Sequence, residues 1–132
     1  MGFDHDRLDV YRAALDLTVA ANDIAQALPR GRSYLVDQLQ RAATSVVLNI
    51  AEGAGEFCGK EKARFYRIAK RSATECAAVL DVCQRLSLLD QESHTHAREL
   101  LVRIVSMLVK LVRRAGPSGT GAGTGAGTGG SA

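Results

Sequence analysis

Apolar positions recur along the chain at steps of three and four residues, in four runs with a break after each. Leu8, Tyr11 and Leu15, interleaved with Val10, Ala14, Leu17, Ala21 and Ile24, predict a first helix from about Asp6 to Leu28. Pro29 and Gly31 then oppose its continuation. A second run, from Ser33 as N-cap to Gly53 as C-terminal stop, sets Leu35, Leu39, Ala42 and Val46 beside Val36, Ala43, Val47 and Ile50. The third, from about Lys60 to Leu86, turns Phe65, Ala69, Ala73, Cys76, Leu80 and Cys83 inward. Asp90 is placed to cap a fourth helix that reaches Ala115. Four helices with short connections run antiparallel to their neighbours, so residues 1–115 are expected to form an all-α, up-down four-helix bundle.

The fourth helix departs from the simple amphipathic pattern. Glu99, Arg103, Ser106, Lys110 and Arg113 step by four, three, four and three, and confine polarity to about a quarter of the circumference. Every other position from Leu100 to Val112 is large and apolar. Such a helix has one side for its own core and another to offer a second subunit, with Val102, Val105, Val109 and Val112 as candidate interface residues. A homo-oligomer is therefore expected; the alternative is that the extra valines are tolerated at the surface.

Composition narrows the class. A chain of 132 residues has room for one domain, and 46% hydrophobic residues can supply its core. Aromatics at 5% and the absence of Trp argue against β-sandwiches and aromatic-lined sugar or nucleotide pockets. The segment 116–132, GPSGTGAGTGAGTGGSA, holds eight of the thirteen glycines and neither charge nor large apolar side chains. A flexible coil is expected there, as a natural tail or an added linker. Three cysteines without a CxxC pair, and a polar N-terminus, fit a reduced, cytoplasmic protein. No apolar run approaches the ~20 residues that span a bilayer, so no membrane role is expected.

Catalytic and metal chemistry find little support. No Glu is followed three residues later by His, as a di-iron bundle requires. His94 and His96 are two apart and point in different directions on a helix, and His5 stands alone. Cys76 and Cys83 share the inward face of the third helix and read as core thiols. No G-x-S-x-G turn occurs, and no glycine cluster follows a strand. Neither an enzyme nor a cofactor is expected.

Charge carries the sharper signal. The net +3 and pI near 9.0 are only mildly basic. However, Lys60, Arg64, Arg67 and Arg71 fall on one face of the third helix, flanked by Lys62 and Lys70, with Glu61 the sole acid in that stretch. A row of this kind concentrates positive potential where a phosphate backbone could lie. Two other readings stay open: a solvated face, or one paired with Asp9, Asp16 and Asp23 of the first helix, in the same or a neighbouring chain. The second helix carries a polar row of Gln38, Arg41, Ser45, Asn49 and Glu52, in which Asn49 fixes helix register or contacts a ligand.

The run Gln38-Leu39-x-Arg41-Ala42, then Ser45 and Asn49-Ile50-Ala51-Glu52-Gly53, resembles the bacterial four helix bundle protein family, known also from proteins encoded in intervening sequences of large-subunit ribosomal RNA genes. Phe65-x-x-x-Ala69 and Ser72-x-x-Glu75 match its third-helix pattern, and Leu8-x-Val10-Tyr11 its opening. The chain departs at Arg71, where the family usually has glycine, and at Glu56, where it usually has a basic residue. The resemblance implies an antiparallel bundle assembled as a ring, usually a pentamer. In a related branch, the accessory protein of diversity-generating retroelements, it implies a basic pentamer that partners a reverse transcriptase and its RNA. A non-catalytic module binding RNA or DNA, or a partner that processes it, through Lys60, Arg64, Arg67, Lys70 and Arg71 is the reading that follows. A protein–protein scaffold without nucleic acid is the alternative.

Overall fold

The structure, a computed structural model, describes residues 2–115. The glycine-rich segment 116–132 lies outside the described residues. After a 3-10 turn at Asp4–Arg7 come α1 (Asp9–Ala27), α2 (Ser33–Ala54), α3 (Gly59–Arg85) and α4 (Gln91–Ala115). No strand occurs among the described residues. Each helix packs on the next, and α4 closes back on α1, giving a four-helix bundle. Hydrogen bonds fix the direction of two of these pairs. Lys62 reaches Gly53 and Ala54 while Ser72 reaches Ser45, so α3 runs opposite to α2. Gln84 meets Gln91 while Asp81 meets His94 and Arg98, so α4 runs opposite to α3.

Local chemistry sets the helix ends. Pro29 follows α1 at once, and Gly31 takes φ +88° in the connection to α2. The α2 N-cap is Arg32 and not Ser33, which is already helical; Arg32 makes no side-chain capping bond. Asp90 does cap α4, its Oδ1 accepting from the Ser93 amide at 2.9 Å. Hydrogen bonding from Ser93, its hydroxyl first and this amide second, holds the Asp90 carboxyl below its ordinary value. α3 ends in a Schellman arrangement, with Leu88 N–H donating to the Cys83 carbonyl at 2.8 Å and Ser87 N–H to the Gln84 carbonyl at 2.9 Å. The left-handed position of that motif is filled by Ser87, at φ 61°.

Leu17, Leu39, Ile50, Leu80, Ile104 and Leu108 are the largest side chains in the core, joined by Cys76 and Cys83. Burial pushes the Cys76 thiol up to about 12, with Glu75 adding to the shift, and raises Cys83 as well. Two expected core residues sit elsewhere. Leu15 is 40% exposed, outside the stripe of Val10, Ala14, Leu17, Ala21 and Ile24. Phe65 is half-buried, and its neighbour Tyr66 takes the core position with its hydroxyl pKa raised by burial.

Gly53 does not stop α2, which continues to Ala54. A Cβ at Gly53 would lie 2.7 Å from Tyr66 Cε1, so the glycine is the hole into which the α3 tyrosine packs. The bundle also absorbs much of the apolar surplus of α4. Leu100, Leu101, Ile104 and Leu108 are buried, and Val105, Met107, Leu111 and Val112 pack partly against the core. Val109 is half-buried, and Val102 stands 58% exposed.

Candidate nucleic-acid interface

The N-terminal half of α3 carries the basic row. Lys60, Arg64, Arg67, Lys70 and Arg71 are all exposed. The helical core residues Ala63, Tyr66, Ala69 and Ala73 hold the opposite face against the bundle, which turns this charged face outward. Arg64 is the one member of the row with an acid beside it. Its Nε lies 3.0 Å from Glu61 Oε1, and its guanidinium sits 4.5 Å from the Phe65 ring centroid. This exposed i,i+3 pair is worth under about 1 kcal/mol and does not remove the charge from the surface. Among the described residues Lys60, Arg67, Lys70 and Arg71 form no ion pair. The positive end of the α3 macrodipole lies beneath the start of the row and reinforces its sign.

The acidic first helix does not neutralise this face within the chain. α1 packs on α2 and α4 and has no contact with α3. Asp9 pairs with Arg12 at 2.6 Å, and Asp16 and Asp23 line a shallow cleft on the α4 side with Ser93 and His96. Lys62 also leaves the row. Its Nζ donates to the carbonyls of Gly53 at 2.8 Å and Ala54 at 3.1 Å, closing the C-terminus of α2 where carbonyls lack helical partners. The same ammonium lies 5.9 Å from the Tyr66 ring centroid.

The α2 motif residues divide into two sets. Ser45 and Asn49 face the α3 boundary: Asn49 Nδ2 donates to the Ser45 carbonyl at 2.9 Å and to Ser45 Oγ at 3.1 Å, and Ser45 Oγ meets Ser72 Oγ at 2.8 Å. The Ser72 hydroxyl is buried, and this bond satisfies it. The Asn49 bonds stay within α2, and the bond that crosses to α3 is made by Ser45. Arg41 and Glu52 are exposed, and Arg41 lines a shallow groove along α2 together with Leu48 and with Ser45 and Asn49 themselves.

Two features of the face were not read from the sequence. By the register of α3 against α4, the start of α3 is level with the last turn of α4, so Lys110, Arg113 and Arg114 lie at the same end of the bundle as Lys60 and Arg64. The antiparallel order alone would have placed them there. The second is Phe57, fully exposed in the α2–α3 connection directly before the row. Among the described residues no group of three His, Cys, Asp or Glu gathers as a metal would need, and no helix is long and apolar enough to cross a membrane.

These features define a class: a small all-helical bundle with a cationic face on its third helix. The chain belongs to the family of 23S rRNA-intervening sequence proteins, whose model matches residues 6–110. Its fold is similar to the crystal structure of a protein of unknown function from the S23 ribosomal protein family of Bacteroides thetaiotaomicron VPI-5482. The TM-score is 0.73 at 19% identity, over 79% of this chain and 98% of that one. No curated protein matches this chain.

Proposed function

We propose that the protein is a non-catalytic, self-associating binding module that takes up structured RNA, alone or with an RNA-processing partner such as a reverse transcriptase. The observation that carries this reading is the α3 face, where five cations stand exposed with one local acid partner between them. The family description, which speaks of 23S rRNA and an intervening sequence, supports RNA as the polyanion. Self-association, in a ring of five copies, would repeat the row around the assembly and multiply weak single contacts. Val102 and Val109, with the partly packed Val105 and Val112, are the proposed contact between copies.

Fluorescence anisotropy against a structured RNA at low and physiological salt tests the reading. Neutralising about five phosphates gives a log–log salt slope of about −3.5 to −4.5. The double variant Arg64→Glu, Arg67→Glu should lose at least about tenfold in affinity at low salt while its helical circular dichroism is unchanged. A scaffold for another protein is the second reading, favoured by the exposure of Val102. Absence of salt-dependent RNA binding by the wild-type chain would select it.

A further inference from the structure

Phe57 is the most exposed large apolar residue among the described residues, with its whole ring in water. Its connection is short and held on both sides. Gly55 N–H and Glu56 N–H donate back to the Ala51 and Gly53 carbonyls, and the Cys58 carbonyl accepts from Lys62 N–H in the first turn of α3. The ring is therefore presented from a fixed point, three residues ahead of Lys60 and seven ahead of Arg64. Its chain neighbours are Glu56, Cys58, Gly59 and Lys60, none of them a large apolar residue, and the other well-exposed phenyl ring, Phe3, precedes the 3-10 turn that packs on α2. The core of a subunit interface is a contiguous apolar patch, and a ring followed along its own segment by a row of cations does not by itself supply one.

From this placement we infer that Phe57 is a base-stacking residue at the head of the basic row, so that the face prefers RNA with unpaired nucleotides to a continuous duplex. The inference rests on the RNA reading of the α3 row and deepens it. The division of labour is physical. The cations meet phosphates of either form of RNA without regard to base, whereas the aromatic ring can stack only on a base whose face is uncovered. In a duplex every base face is covered by its neighbours, and Phe57 gains nothing. On a single strand one base lies on the ring while the following phosphates run along Lys60, Arg64 and Arg67.

The test measures affinity of the full chain for an unstructured oligouridylate and for a blunt RNA duplex of equal length, comparing wild type, Phe57→Ala and Phe57→Trp. Phe57→Ala should weaken single-strand binding by about tenfold or more, leave duplex binding within about twofold, and Phe57→Trp should restore the single-strand affinity. Equal loss on both RNAs, or no loss on either while the Arg64→Glu, Arg67→Glu variant still fails to bind, overturns the role of Phe57 and leaves the RNA reading standing. If the wild-type chain binds neither RNA even at low salt, the RNA reading falls and this inference with it. Sedimentation of Phe57→Ala guards the remaining route: a change in assembly mass would make Phe57 a subunit contact and overturn the assignment. A loss confined to phosphatidylserine vesicles, with RNA binding unchanged, would overturn it in favour of a lipid surface.

Discussion

A single missing methyl group shapes the α2–α3 boundary. Gly53 lies inside α2, where alanine would ordinarily favour the helix by about 1 kcal/mol. The Tyr66 ring occupies the space its Cβ would fill, and the Lys62 carbonyl lies 3.2 Å from the same point. Gly53→Ala is therefore expected to destabilise the fold by about 1–3 kcal/mol, measured as a lower urea midpoint, because overpacking outweighs the propensity gain. The buried thiols give a pH signature. Cys76 releases its proton only near pH 12 in the folded chain, against an ordinary 9.0. Between those values the unfolded chain has lost the proton and the native one retains it, so stability falls as pH rises through that window. Urea midpoints taken from pH 8 to 11 should decline, and Cys76→Ala should flatten part of the decline, with Cys83 and Tyr66 contributing the rest.

Among the elements, the end of α3 holds the clearest room for improvement. Ser87 occupies the left-handed position of a Schellman motif, a backbone state that costs an L-residue about 1–2 kcal/mol. Ser87→Gly should raise stability by about 0.5–1 kcal/mol in thermal or urea unfolding, even after the added freedom of glycine in the unfolded chain. At this scale the sequence was most readable. Pro29, Gly31 and Asp90 act on their own neighbours, so periodicity and caps place the helix ends within about a residue, except the start of α1, expected at Asp6 and found at Asp9 after the separate 3-10 turn. The same signals could not say that Gly53 is a packing hole, since its cause lies on Tyr66 of another helix. Phe65 and Tyr66 are adjacent and both suit an inward face, and only the seating of α3 on α2 chose the second. Lys62 looked like one more cation of the row; its partners, the carbonyls ending α2, come near only once the hairpin folds.

At the scale of the molecule, cations from two helices gather. The α3 row and the end of α4 share one end of the bundle, and α1 has no contact with α3. Periodicity of α4 suggested a wide apolar side left over for a partner, but much of it packs within the chain, because Val105, Met107, Leu111 and Val112 wedge into the flanks of the core. What stays outside centres on Val102 and Val109. If these form the contact between copies, Val102→Glu with Val109→Glu should reduce the sedimentation mass from a multiple of 14.0 kDa to that of one chain, with helicity retained. A single-chain mass for the wild type at micromolar concentration would refute self-association.

The pairing of α2 with α3 has a thermodynamic consequence for whatever lies on the cationic face. α3 is pinned to α2 at two heights, by Lys62 at the end of α2 and by the Ser45–Ser72 bond further along, so the backbone bearing the cations is already ordered before a ligand arrives. Binding then restricts little beyond long side chains, at about 0.5–1.5 kcal/mol for each one immobilised. Arg64, already laid against Phe65 and tethered by Glu61, has the least torsional freedom left to surrender. It is the member of the row whose geometry a phosphate would have to change least.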